Sequence, residues 1–139
     1  MLIIVAQSVI IDSSALAALL DPRDQHHPWA RAAVGNLALP WLTCEAVVVE
    51  TFFLLAKPEA DRLARLLRDG RLRVVYGLRD EVGRILDLKD KYANLPMSLA
   101  DACLVRMTET LPDPVVVTTD ADFKIYRRHS RQVVPCLMP

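Results

Sequence analysis

Four acids in this chain occupy places where side chains do chemistry: Asp12, Glu50, Asp101 and Asp120. Asp12 directly follows the apolar run Val9-Ile10-Ile11, and Asp120 follows Val115-Val116-Val117 with two threonines between. Asp101 lies near the start of a helical segment, and Glu50 is set among Val47, Val48, Val49, Phe52, Phe53 and Leu54. An ionised carboxylate among such neighbours loses hydration unless a cation or a hydrogen-bond donor meets it. Each acid also has a plainer use. Asp12 can cap a helix, Asp120 can make an Asx turn, Asp101 can answer Ser98 in a capping box, and Glu50 can sit at an exposed edge or pair with an arginine. Converging carboxylates repel one another unless a cation neutralises them, and hard divalent ions such as magnesium and manganese prefer oxygen ligands. Such an ion acidifies a bound water for attack on phosphorus, so the chemistry that a shared site implies is phosphodiester hydrolysis.

The elements that must position these acids follow from the hydrophobic pattern. Residues 9–11 and 115–117 read as short buried strands of a parallel sheet, each handing over to polar residues that start a helix or turn. If the two strands are neighbours, their carboxylates lie within reach of one ion, because ligand sites in open parallel sheets form beyond the strands' carboxyl ends. Helices are expected over 15–20, 28–36, 44–57, 58–70, 80–92 and 98–110, with further strands over 72–76 and 132–137. Thr43 is expected to cap the 44–57 helix, and that helix is expected to be covered on several sides, with Ala46, Val49, Phe53 and Ala56 forming a buried stripe. Strands alternating with helices define an α/β fold: a three-layer α/β/α sandwich around a mostly parallel central sheet.

The chain has 139 residues, 53% apolar and 24% charged, the profile of one globular domain over residues 1–139. Seventeen basic residues balance seventeen acidic ones, which excludes a polyion and a uniformly basic nucleic-acid coat. Cys44, Cys103 and Cys136 have no zinc-type spacing and lie among apolar neighbours, pointing to buried thiols and a cytoplasmic location. Residues 1–11 lack the marks of an export signal, and Glu45 and Glu50 exclude 38–56 as a membrane span. Four glycines form no phosphate-cradling loop, no Ser/His/Asp nucleophile motif stands out, and no lysine follows a late strand as a receiver domain requires. Two features are ambiguous. Lys124, Arg127, Arg128, His129 and Arg131 could grip phosphates or simply edge a solvated turn, and His26-His27 reads more simply as a loop before a helix than as a metal or acid/base site.

Four segments in order carry a resemblance: Val9 to Leu16, Thr43 to Glu50, Leu99-Ala100-Asp101-Ala102, and Thr118-Thr119-Asp120-Ala121-Asp122-Phe123. Together they resemble a PIN domain, more narrowly the VapC-type toxin ribonucleases of toxin-antitoxin pairs. The resemblance implies a PIN-like α/β/α fold and a ribonuclease using Mg2+ or Mn2+. It implies Asp12, Glu50, Asp101 and Asp120 as the acids of the metal site, Asp122 as a further acid, and Ser14 or Thr119 as hydroxyl helpers. The implied partners are an RNA substrate, a cognate antitoxin and a second copy of the chain in a homodimer, with no membrane. Similar proteins often carry another acid where this chain has Ser98. The rival reading is a non-catalytic PIN-fold module that binds RNA or a protein partner.

Overall fold

The computed structural model describes residues 6–139. Its elements run β1 (Ser8–Ile11), α1 (Ser13–Leu20), α2 (His27–Ala33), β2 (Trp41–Cys44), α3 (Glu45–Leu54), α4 (Lys57–Arg68), β3 (Leu72–Tyr76), α5 (Val82–Lys91), α6 (Leu99–Thr110), β4 (Pro114–Val117), β5 (Arg127–Arg128), β6 (Gln132–Val133) and β7 (Cys136–Leu137). Short 3-10 turns lie at Leu78–Asp80 and Ala121–Lys124. The first five residues of the 1–11 stretch lie outside the described residues.

Five strands form a parallel sheet in the order β3-β2-β1-β4-β7, flanked by helices in a PIN-like α/β/α arrangement. The chain builds outward from β1 on one side, then returns to lay β4 on the other, so the order reverses between β1 and β4. Such a switch point opens a crevice at the strands' carboxyl ends. The two strands expected from their β-branched residues are indeed neighbours, Val9 opposite Val115 and Ile11 opposite Val117. Val9, Ile10, Ile11, Val116 and Val117 are almost fully buried, as strands covered on both faces require, while Val115 is partly buried.

Several expectations fail for identifiable reasons. Thr43 does not cap a helix: it lies within the unanticipated strand β2, and its hydroxyl donates to the Ile11 carbonyl at 3.0 Å. Cys44 takes the cap position without a side-chain bond. The 44–57 helix stops at Leu54, and Lys57 already belongs to α4, with Pro58 in the first turn, where a missing N–H costs nothing. The α3 helix is not covered on several sides either. Val49 is 69% and Phe53 90% exposed, although both lie on the expected stripe. The central buried helix is α6, which packs against β1, β2 and β4 and buries Ala100 through Val105. Residues 132–137 form two strands rather than one, because Pro135 lies between β6, antiparallel to β5, and β7, parallel to β4. Cys44 and Cys103 are buried free thiols, while Cys136 is only half-buried.

Candidate active site

Asp12 stands at the end of β1 and is the N-cap of α1, so its bland and its chemical positions coincide. Oδ1 accepts the Ser13 amide at 2.7 Å, while Oδ2 accepts the hydroxyls of Thr118 at 2.8 Å and Ser14 at 3.0 Å. Those hydroxyls are themselves oriented: Ser14 Oγ accepts the Thr119 amide, and Thr118 Oγ1 accepts the Asp120 amide, both at 3.0 Å. A chain of donors thus runs from the loop after β4 to Asp12. Burial raises the Asp12 carboxyl above the usual carboxylate range; the bonds from Thr118, Ser14 and Ser13 oppose this, and the charge of Glu50 adds to it.

Glu50, one helix away, is half-buried, and its Oε2 accepts the Ser13 hydroxyl at 3.0 Å. The same hydroxyl lies 3.3 Å from Asp12 Oδ1, so Ser13 bridges the two acids. Glu45 turns instead toward a cavity shared with Tyr76 and Gly77.

Asp101 forms half of the expected capping box. Ser98 Oγ accepts the Asp101 amide at 3.0 Å, yet the carboxylate accepts the Tyr126 hydroxyl at 2.9 Å. Its burial pushes it up to about 6, against the bonds from Tyr126 and Ser98 and aided by the charges of Asp12 and Asp120. Tyr126 is fully buried, its ring set edge-on to Tyr92 and Phe123 with centroids 5.2 Å away. Asp120 caps the 3-10 turn by accepting the Asp122 amide at 2.9 Å, which fixes both acids of that segment locally.

Three side chains that hydrogen-bond the acids carry no sequence signal for that contact. Ser13 and Tyr126 carried no signal beyond an ordinary helix-start serine and an apolar tyrosine. Thr118, rather than Thr119, supplies the hydroxyl beside Asp12, and only strand register separates the two. Two side chains of the basic cluster after Asp122 are engaged within the fold: Arg127 donates to the carbonyls of Lys124, Ile125 and Tyr126, and Arg128 to that of Thr108. His27 Nδ1 pairs with the Ala18 carbonyl, which anchors the loop before α2.

Among the described residues, no arginine, lysine or histidine forms an ion pair with Asp12, Glu50, Asp101, Asp120 or Asp122. Nor are three acid, histidine or cysteine side chains arranged there to hold a cation by themselves. Carboxylates buried without a protein counter-ion, held by neutral hydroxyls and amides, are a donor set suited to a hard cation completed by water and phosphate oxygens.

The PIN domain family model matches residues 9–128, and the chain belongs to the PIN domain family. Its fold is similar to the crystal structure of Mycobacterium tuberculosis VapC20, a Sarcin-Ricin loop cleaving toxin. The TM-score is 0.73 at 21% identity, over 85% of this chain and 94% of that one. No curated relative matches the chain significantly.

Proposed function

We propose that this PIN-domain chain is a metal-dependent endoribonuclease of the VapC type, the toxin of a toxin-antitoxin pair, with Asp12, Glu50, Asp101 and Asp120 as its catalytic acids. The observation that carries the reading is a group of carboxylates at the β1/β4 switch point, two of them buried, with no cation among the described residues to neutralise them. VapC20, of like fold, cleaves an RNA loop, and that substrate class is carried over here. Among the described residues no helix is long and apolar enough to cross a membrane.

Asp12 and Asp101 are the residues that hold Mg2+ or Mn2+ in this reading, with Glu50 and either Asp120 or Asp122 beside them. A bound ion supplies a more acidic water and neutralises charge at the phosphorus. The chain's own residues do the rest. Ser14 and Thr118 fix Oδ2 of Asp12 and Ser13 holds its Oδ1, and Tyr126 occupies Oδ2 of Asp101, leaving Oδ1 of Asp101 for a ligand. Ser13 ties Glu50 to Asp12, so the third acid is oriented with the first. A second copy of the chain covering the apolar face of α3, and an antitoxin that blocks the acids, complete the proposal.

The test is RNA cleavage by purified protein in Mg2+ or Mn2+, against EDTA. Asp12→Asn and Glu50→Gln should each lower metal-dependent cleavage at least about a hundredfold. Cleavage indifferent to EDTA and to both substitutions would sink the proposal; RNA binding without cleavage would favour the non-catalytic module.

A further inference from the structure

A cavity of about 360 Å³ opens beside the acids, within the roughly 300–1,000 Å³ range of small-molecule sites. Ser14 and Thr119 line it, and Ser14 Oγ is hydrogen-bonded to Asp12 Oδ2 and to the Thr119 amide. The cavity therefore begins one hydrogen bond from the proposed catalytic carboxylate. Leu54 and Leu55, just beyond Glu50 along α3, give it an apolar wall.

The rest of the lining is mostly polar. Asp24 Oδ1 accepts the His26 amide at 2.8 Å, while Oδ2 has no donor among the described residues. The His26 imidazole likewise has no hydrogen-bond partner among them, although its neighbour His27 is anchored to the Ala18 carbonyl. Asp21, also on the rim, is held by Arg23. Carboxylates here repel a phosphate but accept amino protons, and a half-buried imidazole beside leucines offers a planar surface for a planar group. Single-stranded RNA is read in just these terms, by bases splayed out, stacked on aromatic or histidine rings and hydrogen-bonded at their edges.

We propose that this cavity receives the nucleobase next to the scissile phosphate and selects bases with an exocyclic amino group. Asp24 Oδ2 accepts from the amino group, and His26 stacks on the ring. The inference rests on the ribonuclease reading and adds to it a discriminating residue remote from the acids.

Fluorescent pentaribonucleotides rA5, rC5 and rU5 test it by anisotropy in Ca2+, which takes oxygen ligands as Mg2+ does. Wild-type protein should bind rA5 and rC5 about fivefold or more tighter than rU5. Asp24→Asn keeps an oxygen for the His26 amide but removes the charge, and should cut that preference to less than about twofold. His26→Ala should weaken all three by about fivefold or more, leaving their ratio intact. A parallel Mg2+ digest of mixed-sequence RNA should show Asp24→Asn changing the base beside the cut. Equal binding of the three oligonucleotides by wild type, a preference surviving in Asp24→Asn, or unchanged affinity in His26→Ala would each overturn the subsite, thermal melts having established that both variants fold. Failure to cleave any RNA would count against the ribonuclease reading alone, because the binding ratios are read without cleavage.

Discussion

Tyr126 illustrates how much a single buried hydroxyl can set. Its donation to Asp101 Oδ2 holds one carboxylate oxygen, and its ring is locked between Tyr92 and Phe123, so the acid is aimed by aromatic packing. Tyr126→Phe removes the bond and keeps the shape. We expect Mn2+ affinity, read by electron paramagnetic resonance of the free ion, to fall about 10- to 100-fold, with cleavage falling in proportion and thermal stability little changed. Unchanged Mn2+ affinity would show that Asp101 needs no such orientation. Ser98 belongs to the same residue-scale account. Where similar proteins often carry a further acid, this chain has a hydroxyl that caps α6 and leaves the Asp101 carboxylate free for Tyr126.

At the scale of elements, α3 and α6 put their apolar residues to different uses. Both are rich in apolar residues, but α6 lies against the sheet and buries eight of its twelve residues, whereas α3 leaves Val49, Phe53 and Leu54 exposed. An apolar helix face in water is a surface for a partner. Under the homodimer proposal, purified protein has the mass of two chains in analytical ultracentrifugation, and Phe53→Asp converts it to a monomer. Phe53 is 90% exposed in the single chain, so the substitution should shift intrinsic stability by no more than about 0.5 kcal/mol. A wild type that stays monomeric at high concentration would remove the proposal.

For the whole molecule, the acids set a conflict between stability and function. Asp101 is raised in the folded chain to about 6 from an ordinary 3.8, so the folded state holds its proton more tightly than the unfolded one. The stability linked to that proton is fully present below about 3.8, falls as pH rises through about 6, and is absent above it. Asp101→Asn can still accept from Tyr126 and carries no charge. It should be more stable than wild type above pH 6, by about 1–3 kcal/mol, while losing cleavage. Melting temperature against pH measures this, and parallel profiles for the two proteins would refute it. A cation that neutralises the site should act in the same direction: Mn2+ at pH 7.5 should raise the melting temperature of wild type and leave that of Asp12→Asn unmoved.

The residue types alone determined a good deal: β-branched triplets that could only be buried strands, acids placed directly after them, and helical segments between, which together specify an α/β fold with its chemistry at one sheet end. Local pattern could not decide which apolar helix faces the sheet, because the same periodicity serves a core contact and a partner contact; hence α3, expected to be covered, stands exposed, while α6 lies on the sheet. Nor could it separate Thr118 from Thr119 or find Ser13 and Tyr126, since those roles depend on strand register and on contacts between residues 25 to 106 positions apart. Only the return of the chain to lay β4 against β1 brings Thr118 to Asp12, because a hydrogen bond requires a separation of about 3 Å that sequence spacing cannot encode.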